Sequence, residues 1–276
     1  MLIIGILSTV FLVLFGVAYS LLLYNVHFQN WLIETLSAKA NVIHMKDESQ
    51  LKGKRFMVPR ENRDVRVNIY RGKEGKLPAV FFAHGSDFVD SDADEWDDYC
   101  DWFAKEFQVL LISVNYSKIG IHVTSYPQDE IQDTIRWFRS HADEYGFDKN
   151  EFMMMGAEAG AYLSMIAGFQ LLRKGIFSRG YILINPFVDY TNVSFAQAGY
   201  HPEPVALITL GEDRMREKWN EYSKAIRAED IYMREWDRVH VSKRILYEPY
   251  AEFDEQESED RRLLINWLHV RMNEFI

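Results

Sequence analysis

Residues 152–160 read Phe-Met-Met-Met-Gly-Ala-Glu-Ala-Gly. The apolar run Phe152 to Met155 is too short for a helix and fits a strand buried on both faces. Gly156 and Gly160 then bracket Glu158, the composition of a sharp turn from strand into helix. Such an elbow thrusts its central residue outward and tolerates only small residues two positions to either side, where strand and helix come close. A glycine-rich turn of this size also occurs with no chemistry attached, so its weight depends on what surrounds it.

Working outward, further short apolar runs occur at Ala79 to Ala83, Val109 to Val114, Tyr181 to Ile184, Val205 to Leu210 and Ile245 to Tyr247. Their lengths and flanks predict buried parallel strands. Val65 to Tyr70 alternates polar and apolar residues, as a half-exposed strand does, and Gly72 to Lys76 reads as the turn that follows. Between the strands, the clearest helix runs from about Pro127 to Tyr145. Its apolar residues Ile131, Ile135, Phe138, Ala142 and Tyr145 step by four, three, four and three and so share one face. Ser125 with Gln128 suits a capping box, and Gly146 suits the helix end. Other helices are expected after Gly156, from about Met215, and around Leu263, Leu264, Trp267 and Leu268. Strands alternating with helices predict a doubly wound, mostly parallel sheet with helices on both faces. There is no internal repeat.

Two more loops join the elbow at one sheet edge: Ala83-His84-Gly85-Ser86-Asp87 ends one strand, and Val114-Asn115-Tyr116 ends another. On these residues the chain resembles the α/β-hydrolase fold family, in its acetyl esterase and hormone-sensitive-lipase-like carboxylesterase branch, whose motifs are HGGG, a DYR-type strand end and GxSxG. The resemblance covers about Phe56 to the end. It includes FFAHGSDFVDSDADEWDDYCDWFAKEFQVLLISVNY, YPQDEIQDTIRWFRSHADEYGFDKNEFMMMGAEAG and LGEDRMREKWNEYSKAI in the family's order. It implies an oxyanion loop at His84, Gly85 and Ser86, completed by the backbone amide of Ala159, and an elbow framed by Gly156 and Gly160. The three triad-equivalent positions are Glu158, Asp213 and Glu252.

Two of those three depart from the family pattern. Glu158 stands where the nucleophilic serine belongs, and Glu252, within Tyr247 to Asp254, stands where the histidine belongs; Asp213 matches the family's acid. A carboxylate cannot take the role of a hydroxyl that an imidazole deprotonates, so these positions do not make a working triad. The second glycine of the oxyanion loop is Ser86, yet the backbone amides can still converge on an anion or a carbonyl. No other histidine replaces the missing base: His84 belongs to the oxyanion loop, His122 and His141 flank the helix before the elbow, His240 precedes the last expected strand, and His201 is a loop residue in a short lid segment.

Two chemical alternatives remain open at this level. Glu158 can be read as a carboxylate nucleophile, as aspartate is in haloalkane dehalogenases and epoxide hydrolases of this fold, although those enzymes also need a histidine. Glu158 and Glu252 can instead be read as a carboxylate pair near Asp213 that shares a proton or holds a divalent cation. The acidic stretch Asp87 to Asp101 is expected as a solvated loop and helix start, where acids favour the helix dipole. Its alternative, a calcium site, lacks the EF-hand spacing. No cofactor and no metal centre are expected, and the partner class is a small-molecule or acyl-type ligand.

Met1 to Val26 is almost wholly apolar, and no charged residue precedes Glu34. That length predicts one transmembrane helix, hence a single-pass membrane protein. The rival is a signal peptide cut near Ala18-Tyr19-Ser20, against which stand the absent basic start and the continuing run Leu21 to Leu23. Lys39 and Lys46 on the C-terminal flank point to a cytoplasmic main domain. Residues 27–54 read as a juxtamembrane linker and 55–276 as the hydrolase-like domain. A net charge of −10, from 31 basic against 41 acidic residues, opposes binding to nucleic acid. The single cysteine, Cys100, excludes an intramolecular disulfide and a multi-cysteine metal site. The expected function is a ligand-binding or regulatory module on an impaired esterase frame; the alternative is a hydrolase with a rearranged site using Glu158 and Asp213.

Overall fold

The computed structural model describes residues 45–61, 63–85, 91–117, 126–186, 205–209, 232–235 and 247–275, with positions 10–11, 13–17, 19–20, 25 and 245 besides. Eight strands among them form one sheet: β1 (Lys54–Val58), β2 (Val65–Arg71), β3 (Ala79–Ala83), β4 (Leu110–Val114), β5 (Phe152–Ala157), β6 (Tyr181–Ile184), β7 (Val205–Thr209) and β8 (Tyr232–Glu235). Their order is β1-β2-β4-β3-β5-β6-β7-β8. β2 runs antiparallel to both of its neighbours, and every other adjacent pair is parallel. Around the sheet lie the helices α1 (Asp97–Phe107), α2 (Tyr126–Ser140), α3 (Ala142–Tyr145), α4 (Glu158–Leu172) and α5 (Glu255–Phe275).

Strand periodicity divides the core into two layers. Along β5, Phe152 and Met154 face α2 and α4, while Met153 and Met155 face α1 and α5. Ile131, Ile135 and Phe138 of α2 are buried in the first layer, and Leu264, Leu268 and Met272 of α5 in the second. Since both faces are covered, β3, β4 and β5 are buried along their whole length and carry no polar alternation. In the sheet register Ala83 lies opposite both Val114 and Gly156, which brings the ends of β3, β4 and β5 to one edge.

The expected helix over 127–145 forms with one interruption, at His141, which separates α2 from α3. Gly146 closes it with φ +66, a left-handed conformation that glycine adopts without steric cost. Ser125 of the expected capping box lies outside the described residues, as does the helix expected near Met215. Ile245 to Tyr247 was expected to be the last strand; instead Ile245 and Tyr247 are helical, and β8 lies earlier, at Tyr232–Glu235. Three apolar residues fit a helical turn that buries Ile245 as well as they fit a strand. In the apolar opening segment, positions 10–11, 13–17 and 19–20 are helical and exposed. No helix among the described residues is long and apolar enough to cross a membrane; the rest of 1–26 lies outside them.

In the described part of the acidic stretch, residues 91–101, only Glu95 and Asp98 of the acids are exposed. Asp92, Asp94, Asp97 and Asp101 are buried, and each meets hydrogen-bond donors. Asp94 accepts from Arg55 Nη2 at 2.7 Å, Asn68 Nδ2 at 2.7 Å and the Lys46 amide at 2.9 Å. Asp97 accepts from the Tyr70 hydroxyl at 2.9 Å and the Lys52 amide at 3.1 Å, and forms an ion pair with Lys46 Nζ at 3.4 Å. Asp92 pairs with Arg66 and caps the short 3₁₀ turn Ala93–Trp96. Burying a carboxylate is costly unless it is paired, and the partners of Asp94 and Asp97 come from residues 46–70, while Asp101 meets Lys105 and Tyr250. The acids therefore bolt β1, β2 and the segment ahead of β1 onto the start of α1. Among the described residues no group of three ligating side chains is placed to hold a metal ion, which leaves the calcium alternative without a site there.

Candidate functional site

The elbow forms where the sequence places it. β5 ends at Ala157 and α4 begins at Glu158, whose φ of +50 is left-handed and unusual for a residue with a side chain. Close approach explains the two glycines. A Cβ on Gly156 would stand 2.5 Å from the Ala161 Cα, and one on Gly160 would run into the carbonyl oxygens of Ala83 and His84. The first turn of α4 is thus pressed directly onto the end of β3, so the elbow and the oxyanion loop share one contact.

Within that loop, His84 is a buried post and not an exposed base. Its ring stacks on Tyr116 with centroids 4.4 Å apart and planes 10° apart, and the Tyr116 hydroxyl donates to the His84 carbonyl at 2.8 Å. Gly85 follows in a tight slot. A Cβ there would lie 2.6 Å from Trp96 Cζ2, 2.9 Å from Glu158 Oε2 and 3.3 Å from the Ala157 Cβ. The Glu158 carboxylate is therefore folded back over the oxyanion loop, and Trp96 closes the other side. Trp96 in turn packs edge-on against Tyr247 at 5.0 Å and tilts against Phe82 at 5.4 Å. Ala159 is buried behind the elbow, and Ser86 lies outside the described residues.

Of the three triad-equivalent positions, Glu158 and Glu252 belong to the described residues. Asp213 lies outside the described residues, together with His122, His201 and His240. Glu252 is exposed in the loop before α5. His141 sits at the far end of α2 and stacks on Trp137 at 4.0 Å.

Several residues at this edge carried no sequence signal. Trp96 belonged to no motif and Tyr116 counted only as part of the strand end Val114-Asn115-Tyr116, yet they pack on the two sides of the loop at His84 and Gly85. Asn185, just past β6, has φ +44, donates its amide to the Ile208 carbonyl at 2.7 Å and leaves its buried Oδ1 without a hydrogen-bond partner. An asparagine closing an apolar run was the available clue, since it tolerates left-handed backbone better than most residues. Glu130, buried on α2, accepts from the Ser117 hydroxyl at 2.7 Å and so ties α2 to the chain beyond β4.

Comparison with known proteins agrees with this frame. A family model described as alpha/beta hydrolase fold matches residues 80–247. The acetyl esterase of Salmonella paratyphi B is 27% identical over 123 residues, 44% of this chain and 37% of that protein. The versiconal hemiacetal acetate esterase of Dothistroma septosporum is 24% identical over 103 residues, 37% of this chain and 31% of the relative. The chain thus spans about a third of the length of the curated relatives it matches. Among solved structures, the hyperthermophilic esterase of Pyrobaculum calidifontis superposes with a TM-score of 0.65 at 17% identity, covering 90% of this chain and 93% of that one. A thermostable carboxylesterase cloned from a metagenomic library gives 0.67 at 16% identity, covering 91% and 97%. At such identities the likeness is one of fold.

Proposed function

The chain belongs to the α/β-hydrolase fold family, and from that membership we propose that it is a membrane-anchored ligand-binding or regulatory module built on an esterase frame. The observation that carries this reading is the Glu158 carboxylate, which projects from the left-handed elbow and lies against Gly85 of the oxyanion loop. An esterase needs a hydroxyl there that a neighbouring imidazole deprotonates. A carboxylate is already ionised near neutral pH. If it attacked an ester it would form an anhydride, and hydrolysis of that anhydride would need a base to activate water. Glu252 is exposed, and the His84 ring is buried against Tyr116. The elbow keeps its close contact with the end of β3, a frame that supports binding over turnover. The anchor rests on the apolar run of residues 1–26.

A second reading, an active hydrolase with a rearranged site using Glu158 and Asp213, draws on the retained elbow geometry and on the likeness to esterases. One preparation separates the two. Full-length protein is recovered from membranes and assayed on a short-chain aryl acetate beside Glu158→Ala and the double variant Glu158→Ser with Glu252→His. The binding module predicts no turnover above background in the parent or the alanine variant; activity confined to the double variant would mark a lapsed esterase site. Turnover in the parent that Glu158→Ala abolishes transfers the case to the second reading. Alkaline carbonate washing of the same membranes is expected to leave the protein in the pellet, and its release would remove the anchor from the proposal.

A further inference from the structure

Residues 46–53, which lead into β1, lie across the start of α1 and are fastened there by polar contacts. None of them is buried, and the 3₁₀ turn Glu48–Gln50 in their middle buries no side chain. Both fastenings are carboxylates of the acidic stretch. Asp94 accepts the Lys46 amide at 2.9 Å, while Arg55 Nη2 bridges from Asp94 to the Lys46 carbonyl, at 2.7 and 3.0 Å. Asp97 accepts the amides of Lys52 and Gly53 at 3.1 and 3.3 Å and pairs with Lys46 Nζ at 3.4 Å. A segment that buries so little apolar surface opens at low cost.

Trp96 stands in the chain between the two fastenings. It immediately precedes α1, and its side chain supplies no cap hydrogen bond to that helix. Its ring reaches instead into the candidate site, where the Cβ position of Gly85 lies 2.6 Å from Trp96 Cζ2 and 2.9 Å from Glu158 Oε2. We propose that residues 46–53 are a strap whose docking on Asp97 holds Trp96 against the oxyanion loop, so that release of the strap loosens the candidate site. The chain ahead of residue 46 is then the lever, and the loop at His84 and Gly85 is what it moves.

Asp97 is the latch because of what release would leave behind. Asp94 keeps Arg55 and Asn68 Nδ2 when the Lys46 amide departs. Asp97 is wholly buried and keeps one donor among the described residues, the Tyr70 hydroxyl at 2.9 Å. A buried carboxylate short of donors is costly until water or movement supplies them, so the first turn of α1 shifts and carries Trp96 with it. Asp92, paired with Arg66, holds the other end of the same 3₁₀ turn and serves as the pivot. The strap's outer contacts add little by comparison: Lys52 Nζ meets Asp98 at 2.9 Å and lies 3.8 Å over the Tyr250 ring, both at the surface.

The test uses full-length protein in detergent, with 5-fluorotryptophan in place of tryptophan and the Trp96 fluorine resonance assigned from Trp96→Phe. Lys52→Pro deletes an amide that Asp97 accepts, and Leu51, extended at φ −76 and ψ 138, tolerates a following proline. Gly53→Ala displaces the strap by a second route, since its Cβ would stand 2.5 Å from Tyr70 Cε1. Lys52→Ala keeps the amide and removes only the surface contacts. In the first two variants the Trp96 resonance is expected to shift or broaden, and amide exchange to rise by about tenfold across 46–53, 93–97 and 84–85. Trp137, in the core layer on the opposite face of the sheet, and the amides of β5 are expected to stay as in the parent, and so is the whole of Lys52→Ala. Should the proline variant not unfold cooperatively, Gly53→Ala alone decides. The proposal is overturned if the strap exchanges faster while Trp96 and residues 84–85 do not change, or if Trp137 and β5 respond as strongly as Trp96. It is overturned equally if the strap stays protected in both variants, or if Lys52→Ala reproduces Lys52→Pro.

Discussion

Glu158 and Gly160 stand two positions apart and face opposite steric demands. Glu158 carries a side chain at φ +50, a conformation that costs a residue with a Cβ about 1 kcal/mol, while Gly160 lacks a Cβ where the Ala83 and His84 carbonyl oxygens leave no room. Substitution should therefore act oppositely at the two sites. Glu158→Gly is expected to leave stability unchanged or slightly raised, because the relieved strain offsets the added freedom of the unfolded chain. Gly160→Ala is expected to lower it by about 1–3 kcal/mol, since backbone must move to admit the methyl. Urea midpoints for the two variants check this, and an unperturbed Gly160→Ala would mean that the elbow and the oxyanion loop are not in contact.

Single elements show what the sequence made legible. β3, β4, β5 and β6 stand out because a strand buried on both faces must be continuously apolar, and the elbow stands out because close packing demands glycine at 156 and 160. β1 and β8 did not stand out: Lys-Arg-Phe-Met-Val and Tyr-Met-Arg-Glu mix charge with apolar residues and are set by their neighbours in the sheet. The burial of Asp94 and Asp97 was equally hidden, because local sequence shows eight acids in a row of loop and helix-start residues, whereas the compensating cations stand dozens of positions upstream. At the candidate site the strand-to-helix elbow at Glu158 and its two glycines were legible from motif order; the inward turn of Glu158 and the place of Trp96 depend on packing and were not. Asp94→Ala tests the hidden network at the scale of β1. Removing this carboxylate leaves Arg55 and Asn68 buried without their acceptor, and losing one partner of a buried pair costs about 3–5 kcal/mol. Amide exchange in β1 is expected to accelerate far more than in β5, and uniform acceleration of both strands would show that β1 is not held by this pair.

Across the whole molecule, α1 gathers both ends of the described domain. Tyr70 of β2 donates to Asp97, and Tyr250, in the turn ahead of α5, donates to Asp101 at 2.7 Å. Burial, with the neighbouring carboxylates adding to it, pushes both phenols well above their ordinary range. An unfolded tyrosine titrates near ~10, so a phenol held protonated in the folded state contributes stability that is complete below that pH and is lost as pH climbs beyond it. Urea midpoints should therefore hold level up to about pH 9 and fall above about pH 10, with the fall reduced in Tyr250→Phe. A midpoint that stays constant through the alkaline range would show that these phenols are not tied to folding.

Cys100 lies on the buried face of α1, fully enclosed, and burial raises its thiol well above the usual range. Only a thiolate that reaches solvent reacts with maleimides or iodoacetamides, so the native chain is silent toward both. Any cysteine introduced at the surface becomes the sole addressable thiol. Spin labels or fluorophores at Met57, at the elbow or on the apolar opening segment can then be read one at a time without first removing a native residue from the core.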